Sequence, residues 1–187
     1  MATTVPEPRL GGASPSRGAR VVGIDPGLHV TGYAVLEPDP RGPAGAGPVV
    51  VEAGVIRSGG RAATMGARLE TIYQGVLEVL EAFPPGALAL EQVHSHWKHP
   101  RTAILMAHAR GVIVLAAAQH QVPVVGYAAA RIKKTLTGSG RAPKEQMQHA
   151  IRIELGLDRL PEPNDVADAC AVALCHFQID RNRSGLR

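Results

Sequence analysis

Short apolar runs and longer apolar periods alternate along this chain of 187 residues. Arg20-Val21-Val22-Gly23-Ile24-Asp25 is an apolar run closed by a carboxylate and followed by Pro26-Gly27, the pattern of a buried strand and a turn. Val30 to Glu37 and Val49 to Arg57 read as two further strands, separated by the Pro- and Gly-rich loop from Pro38 to Pro48. Three strands so close in sequence predict an antiparallel meander. Arg61 to Phe83 then takes on helical spacing, with Leu69, Ile72, Tyr73, Val76, Leu77 and Leu80 on one face, and Pro84-Pro85-Gly86 stops it. Ala87 to Glu91 is a short buried strand that again ends in a carboxylate.

Pro100 to Gln119 reads as a long helix, apolar nearly all round, which predicts cover on more than one side, by the sheet and by a second subunit. Gly111 inside it disfavours the helix by about 1 kcal/mol relative to Ala, which points to close packing at that position. A fifth strand follows at Val122 to Tyr127, then helices at Ala128 to Leu136, Pro143 to Leu155 and from about Asn164 to Ile179. The whole predicts an α/β fold: a mixed five-stranded sheet, with an antiparallel three-strand meander plus two parallel strands, and helices on both faces. Residues 1–19, rich in Gly, Pro and Ser without apolar period, are expected to form a disordered tail. Residues 20–180 are expected to form one domain and 181–187 a flexible C-terminal tail.

Composition narrows the class. Hydrophobic residues make up 45% and charged residues 19%, an ordinary globular balance. Aromatics at 3% leave the core to Val, Leu, Ile and Ala. The two cysteines, Cys170 and Cys175, exclude a disulfide framework and are expected to be buried thiols. No apolar leader opens the chain, and His108 and Arg110 interrupt its longest apolar stretch, so a cytoplasmic protein is expected.

Charge placement is sharper than the net charge of +4. The 53 residues between Glu91 and Glu145 contain no Asp or Glu but eight Lys or Arg and five His. The other 12 basic residues share the remainder with all 16 acids, so the middle is +8 and the rest −4. A stretch of one sign gives up i,i+4 ion pairs and raises a positive potential suited to phosphates. Arg131, Lys133, Lys134, Arg141 and Lys144, flanking Gly138-Ser139-Gly140, are the candidate phosphate contacts.

The acids outside that stretch carry the candidate chemistry. Asp25 and Glu91 close predicted strands at their carboxyl ends, where open α/β sheets bind ligands. Asn164 reads as an N-cap, and Asp165 and Asp168, three apart, share one face at the start of the last helix. Two such charges about 5 Å apart at an effective dielectric of about 20 repel by roughly 3 kcal/mol. A hard divalent cation relieves that repulsion, and all-oxygen ligation suits Mg²⁺ or Mn²⁺. Two ions about 4 Å apart are suited to in-line phosphoryl displacement by water.

The residues Ile24-Asp25-Pro26-Gly27 with Thr31-Gly32-Tyr33-Ala34, then Leu90-Glu91-Gln92-Val93, Ala109-Arg110-Gly111-Val112 and Asp165-Val166-Ala167-Asp168-Ala169 resemble the RuvC-type Holliday-junction resolvases, in order, from about Val21 to Phe177. The resemblance implies a ribonuclease H-like fold and a homodimer that cuts opposed strands of a four-way DNA junction. It implies a metal site at Asp25, Glu91, Asp165 and Asp168 holding two Mg²⁺, with Mn²⁺ able to substitute. The implied products are a 5′-phosphate and a 3′-hydroxyl, in recombination and repair alongside a branch-migration motor complex of the RuvA–RuvB type. It also implies DNA contacts near the scissile phosphate at Lys133, Lys134 and Lys144. Where the family usually carries a Phe-containing stacking loop, this chain has His94-Ser95-His96-Trp97-Lys98-His99. Trp97 or His94 is expected to stack there; the three His also invite a zinc reading, for which the spacing offers no fourth ligand.

Three other readings compete. Asp25-Pro26-Gly27 and Gly32 partly resemble the first phosphate loop of actin-like ATPases, but no second such loop follows and the chain is short for two lobes. A junction-binding module without chemistry does not explain four acids. A nuclease of the same fold acting on other branched or RNA-containing DNA stays open.

Overall fold

The structure is a computed structural model and describes residues 20–42, 46–60, 62–92 and 100–184. Five strands, β1 (Val21–Asp25), β2 (Val30–Pro38), β3 (Pro48–Arg57), β4 (Ala87–Glu91) and β5 (Val124–Tyr127), form one sheet in the order β3-β2-β1-β4-β5. β1 pairs antiparallel with β2, and β2 with β3, whereas β1–β4 and β4–β5 are parallel. This is the expected meander with two parallel strands added at β1.

The pleat sorts the strands between two cores. Val22, Ile24, Leu88, Leu90 and Val35 face α1 (Met65–Ala82) and α2 (Pro100–Gln119). Val21, Ala34, Leu36, Ala89 and Tyr127 face α3 (Ala129–Thr137), α4 (Lys144–Glu154) and α5 (Asn164–Ser184). Side chains alternate along a strand. Asp25, next after Ile24, and Glu91, next after Leu90, therefore turn toward α5.

The centre of α5 lies flat on the sheet because two strand glycines let it. A Cβ on Gly23 would stand 2.4 Å from the Ala169 carbonyl oxygen and 2.6 Å from the Ala173 Cβ. On Gly32 it would stand 2.0 Å from the Asp165 carbonyl oxygen. Small residues on both partners thus set the depth of the helix, and from Val166 to Cys175 only Asp168 is exposed. Cys170 and Cys175 are free buried thiols, and burial pushes Cys170 up to about 12.

Boundaries shift in places. α1 starts at Met65 rather than Arg61, because the Thr64 side chain caps it by accepting from the Ala67 N–H at 3.2 Å. Asn164 is the first residue of α5 rather than a cap outside it, and α5 continues through Ser184, past the expected end at Ile179 and into the segment expected to be a flexible tail. The Gly138 turn that ends α3 has φ 79°, a conformation suited to glycine. It is held by bonds from the Ser139 N–H to Thr137 Oγ1 at 3.3 Å and from the Arg141 N–H to Ser139 Oγ at 3.3 Å.

Candidate active site

The sheet register brings the acids to one edge. Ile24 pairs with Leu90 across the parallel ladder, so the next residues, Asp25 and Glu91, are neighbours at adjoining strand tips. Asp25 also pairs with Gly32, over which the Asp165 backbone rides. The first turn of α5 thereby delivers Asp165 and Asp168 to the same edge, and the missing side chain at Gly32 is what permits it.

The electrostatics report the same neighbourhood. Burial, then the charges of Asp168, Glu91 and Asp165, push the Asp25 carboxyl up to about 7. Asp168 is also raised, chiefly by partial desolvation of its carboxyl against the protein although the residue is exposed overall, and further by Asp165, while the Lys144 ammonium pulls it back. Lys144 opens α4, so the helix start also carries a cation to the acid edge. Three of the four acids are half-buried and Asp168 is exposed.

The four carboxylates share one field without closing on one point: among the described residues, no three His, Cys, Asp or Glu side chains stand close enough together to hold an ion as they are. Repulsion adds to burial in raising these pKa values, and like charges also favour side chains that stand apart. The set is all oxygen, the donor chemistry a hard divalent ion satisfies.

Two further groups support the strand tips, and neither follows from residue type alone. Arg110, on α2, donates from Nη1 to the Glu91 carbonyl oxygen at 2.6 Å. Burial lowers the pKa of its guanidinium. A Cβ on Gly126 of β5 would stand 3.3 Å from Arg110 Nη2, so the glycine leaves the guanidinium its place. At β1, the buried Thr31 donates from Oγ1 to the Gly27 carbonyl oxygen at 2.8 Å, tightening the turn that follows Asp25. Beyond Glu91, Tyr127 pairs with it across β4–β5, and the Tyr127 hydroxyl and His176 Nδ1 share a hydrogen bond of 2.8 Å.

Of the candidate phosphate contacts, Arg131, Lys134, Arg141 and Lys144 are exposed and Lys133 is half-buried, on α3, the turn after it and the start of α4. His94 and Trp97 lie outside the described residues, as do His96 and His99 of the zinc reading. A cavity of about 280 Å³ sits between the Pro84-Pro85-Gly86 turn and Gln121-Val122-Pro123, at the opposite edge of the sheet from the acids. It takes no part in the site.

The family model for crossover junction endodeoxyribonuclease RuvC matches residues 21–176, a span that holds both strand tips and the start of α5. The chain belongs to the RuvC family. Over 172 residues it is 48% identical to the crossover junction endodeoxyribonuclease RuvC of Rhodopirellula baltica, covering 91% of this chain and 92% of that one. The RuvC structure of Thermus thermophilus superposes with a TM-score of 0.80 at 32% identity, covering 87% of this chain and 96% of that one. T. thermophilus RuvC in complex with a Holliday junction substrate matches at a TM-score of 0.79 and 32% identity, over 88% and 96% of the two chains. The mixed five-stranded α/β architecture expected of the chain is thus the one it shares with the RuvC structure, and the four acids fall inside the matched span.

Proposed function

We propose that this chain resolves four-way DNA junctions by paired hydrolysis of phosphodiesters on opposed strands, leaving 5′-phosphate and 3′-hydroxyl ends, in recombination and repair. The observation that carries the reading is the acid edge itself: Asp25 and Glu91 on adjoining strand tips, faced by Asp165 and Asp168, in a chain of the RuvC family. The relative bound to a Holliday junction supports the same substrate class.

Asp25, Glu91, Asp165 and Asp168 are the residues that would hold Mg²⁺, two ions per site, with Mn²⁺ a workable substitute. Ions bound there supply an electrophile and an activated water for phosphodiester hydrolysis. The chain's own residues do the rest. Asp25, pushed up to about 7 by burial and then by its acidic neighbours, is only partly ionised in the metal-free protein near neutrality. Lys144, close enough to bias Asp168, sets positive charge beside the acids and favours a phosphate there. Arg131, Lys133, Lys134 and Arg141 extend that charge along α3 and the following turn. Each phosphate contact deepens the salt dependence of binding by about 0.9 in log–log slope. Trp97 or His94, three positions apart in sequence, is the proposed stacking group for bases near the crossover.

Cutting both strands calls for two sites, and the exposed side of α2 supports a homodimer. Ile104 is 56% and Leu115 51% exposed, with Val114 also open, at spacings that place them along one flank of the helix. α2 is long and apolar enough to cross a membrane, but Arg110 within it reaches the Glu91 carbonyl and its other flank packs into the core. A partner of this same kind covers the open flank. Cooperation with a RuvA–RuvB type motor and a cytoplasmic location complete the proposal, both on the strength of family membership.

The test is Asp25→Asn on a synthetic mobile junction with Mg²⁺. The variant is expected to bind the junction as wild type does and to lose cleavage by at least about a hundredfold. Full cleavage by the variant defeats the site. Unpaired nicks, or preference for flaps or plain duplex, defeat the substrate.

A further inference from the structure

The turn that carries Asp25 is tied down from outside its own hairpin. Ser58, just past β3 and 1% exposed, donates its hydroxyl to the Leu28 carbonyl oxygen. Its own N–H donates to the His29 carbonyl oxygen at 3.2 Å. Leu28 and His29 directly follow Asp25-Pro26-Gly27. Arg68, in the first turns of α1 and 6% exposed, reaches the Ser58 segment in turn. Its Nη1 donates to the Ser58 carbonyl oxygen at 3.3 Å, to the Gly59 carbonyl oxygen at 3.2 Å and to Ser58 Oγ at 3.4 Å. Its Nη2 donates to the Gly60 carbonyl oxygen at 2.6 Å.

All of these acceptors are neutral, and among the described residues no ion pair involves Arg68. A buried guanidinium is costly and a well-packed apolar side chain serves stability as well or better. A guanidinium whose planar fork meets three successive main-chain carbonyls instead fixes a backbone path. That path leads through the Ser58 hydroxyl, which accepts from Arg68 and donates to Leu28, so the two bonds polarise each other in one direction.

We infer that Arg68 and Ser58 are positioning residues for the reaction: they lock the connection after β1 to α1 and β3, and so hold Asp25 at the acid edge beside Glu91. Thr31 secures the same turn only from within the hairpin. The inference rests on the nuclease reading above, and concerns how the site is held ready for a divalent cation.

Ser58→Ala tests it, because the change removes the hydroxyl link and leaves Arg68 its three carbonyls. Arg68→Lys keeps the charge and removes the fork. Each variant and the wild type are compared for Tm without divalent ions, for the rise in Tm on adding Mn²⁺, for junction affinity in EDTA, and for single-turnover junction cleavage across an Mg²⁺ titration. Ser58→Ala is expected to bind the junction normally, to need about tenfold more Mg²⁺ for half-maximal cleavage, and to lose most of the Mn²⁺-induced rise in Tm. Arg68→Lys is expected to move the same way, and if it fails to fold Ser58→Ala decides alone. An unchanged Mg²⁺ requirement together with an unchanged Mn²⁺ response overturns the inference, even if the basal Tm falls, because the latch is then structural only. A wild type that leaves junctions uncut overturns the nuclease reading instead, and the Mn²⁺ response still tests the latch.

Discussion

Helices α2 and α5 lie on opposite faces of the same sheet, and both are long and largely apolar, but they are covered to different degrees. α5 rests on the two strand glycines, Gly23 and Gly32, and its centre is buried almost residue for residue. α2 buries only Ala109, Ile113, Ala116 and Ala117 deeply and leaves Ile104, Val114 and Leu115 open. The contrast shows that a helix apolar all round has two explanations. One is full burial inside the chain, read from small residues on the surface beneath it. The other is a flank reserved for another chain. The first shapes the acid edge here, because the depth at which α5 sits fixes where Asp165 and Asp168 emerge.

The most damaging way to break the comparison is therefore to lift α5. In Gly32→Ala the new methyl would stand 2.0 Å from the Asp165 carbonyl oxygen, a main-chain atom with no flexible side chain to give way. Overpacking of this kind costs about 3 kcal/mol, which lowers Tm by about 10 °C for a domain of this size. Cleavage is expected to fall further than the loss of folded protein explains, since the acid-bearing turn is what moves. Thermal melts and cleavage per folded molecule check it, and a normal Tm with normal cleavage means α5 is seated by something other than these glycines.

An effect of similar size separates the charged face from the apolar one by pH. The Asp25 carboxyl is raised from 3.8 to about 7 by burial and by Asp168, Glu91 and Asp165. Between those values the folded protein binds more protons than the unfolded chain, so stability falls as pH rises. Without divalent ions, Asp25 should therefore withdraw a few kcal/mol of stability as pH climbs from about 4 to about 7, with no further loss above. Asp25→Asn should remove that dependence, and Mg²⁺ should restore more stability to the wild type at pH 8 than at pH 5. Urea melts across the range measure all three, and parallel curves for the two proteins without metal would show that Asp25 does not feel the other acids.

Much of the acid edge was legible in the sequence, and for a physical reason. A strand that is apolar to its last residue and then ends in Asp25 or Glu91 places a charge where leaving it unpaired is expensive, and the spacing of Asp165 and Asp168 puts both on one helical face. What supports that edge was not legible. The meaning of Gly32 lies in a helix more than a hundred residues away, and the Arg68–Ser58–Leu28 and Arg110–Glu91 bonds join side chains to distant carbonyls, which no local period reveals. The start of α1 was misplaced for a related reason: the Thr64 cap lies inside a stretch whose composition does not forbid helix. Gly111 points the other way. Its place in a helix suggested close packing, but the structure leaves open space around it, with nothing within 4 Å of an added Cβ.

Gly111 supplies the subtlest test, because the two explanations of an apolar helix predict opposite signs. Within one chain, Gly111→Ala meets no neighbour and improves helix propensity, so it should raise monomer stability by up to about 1 kcal/mol. If the open flank of α2 is closed by a second copy, the same methyl intrudes where two helices approach, and the dimer should weaken. Leu115→Asp serves as the reference: at 51% exposed it should change the monomer's Tm little and disrupt association strongly. Sedimentation over a concentration series, paired with melts under dissociating conditions, reads both effects. A Gly111→Ala protein that is more stable as a monomer but associates less assigns the glycine to the interface. If association is unchanged in both variants, the flank of α2 is not where two copies meet, and the second site needed for paired cleavage must be brought in through another surface.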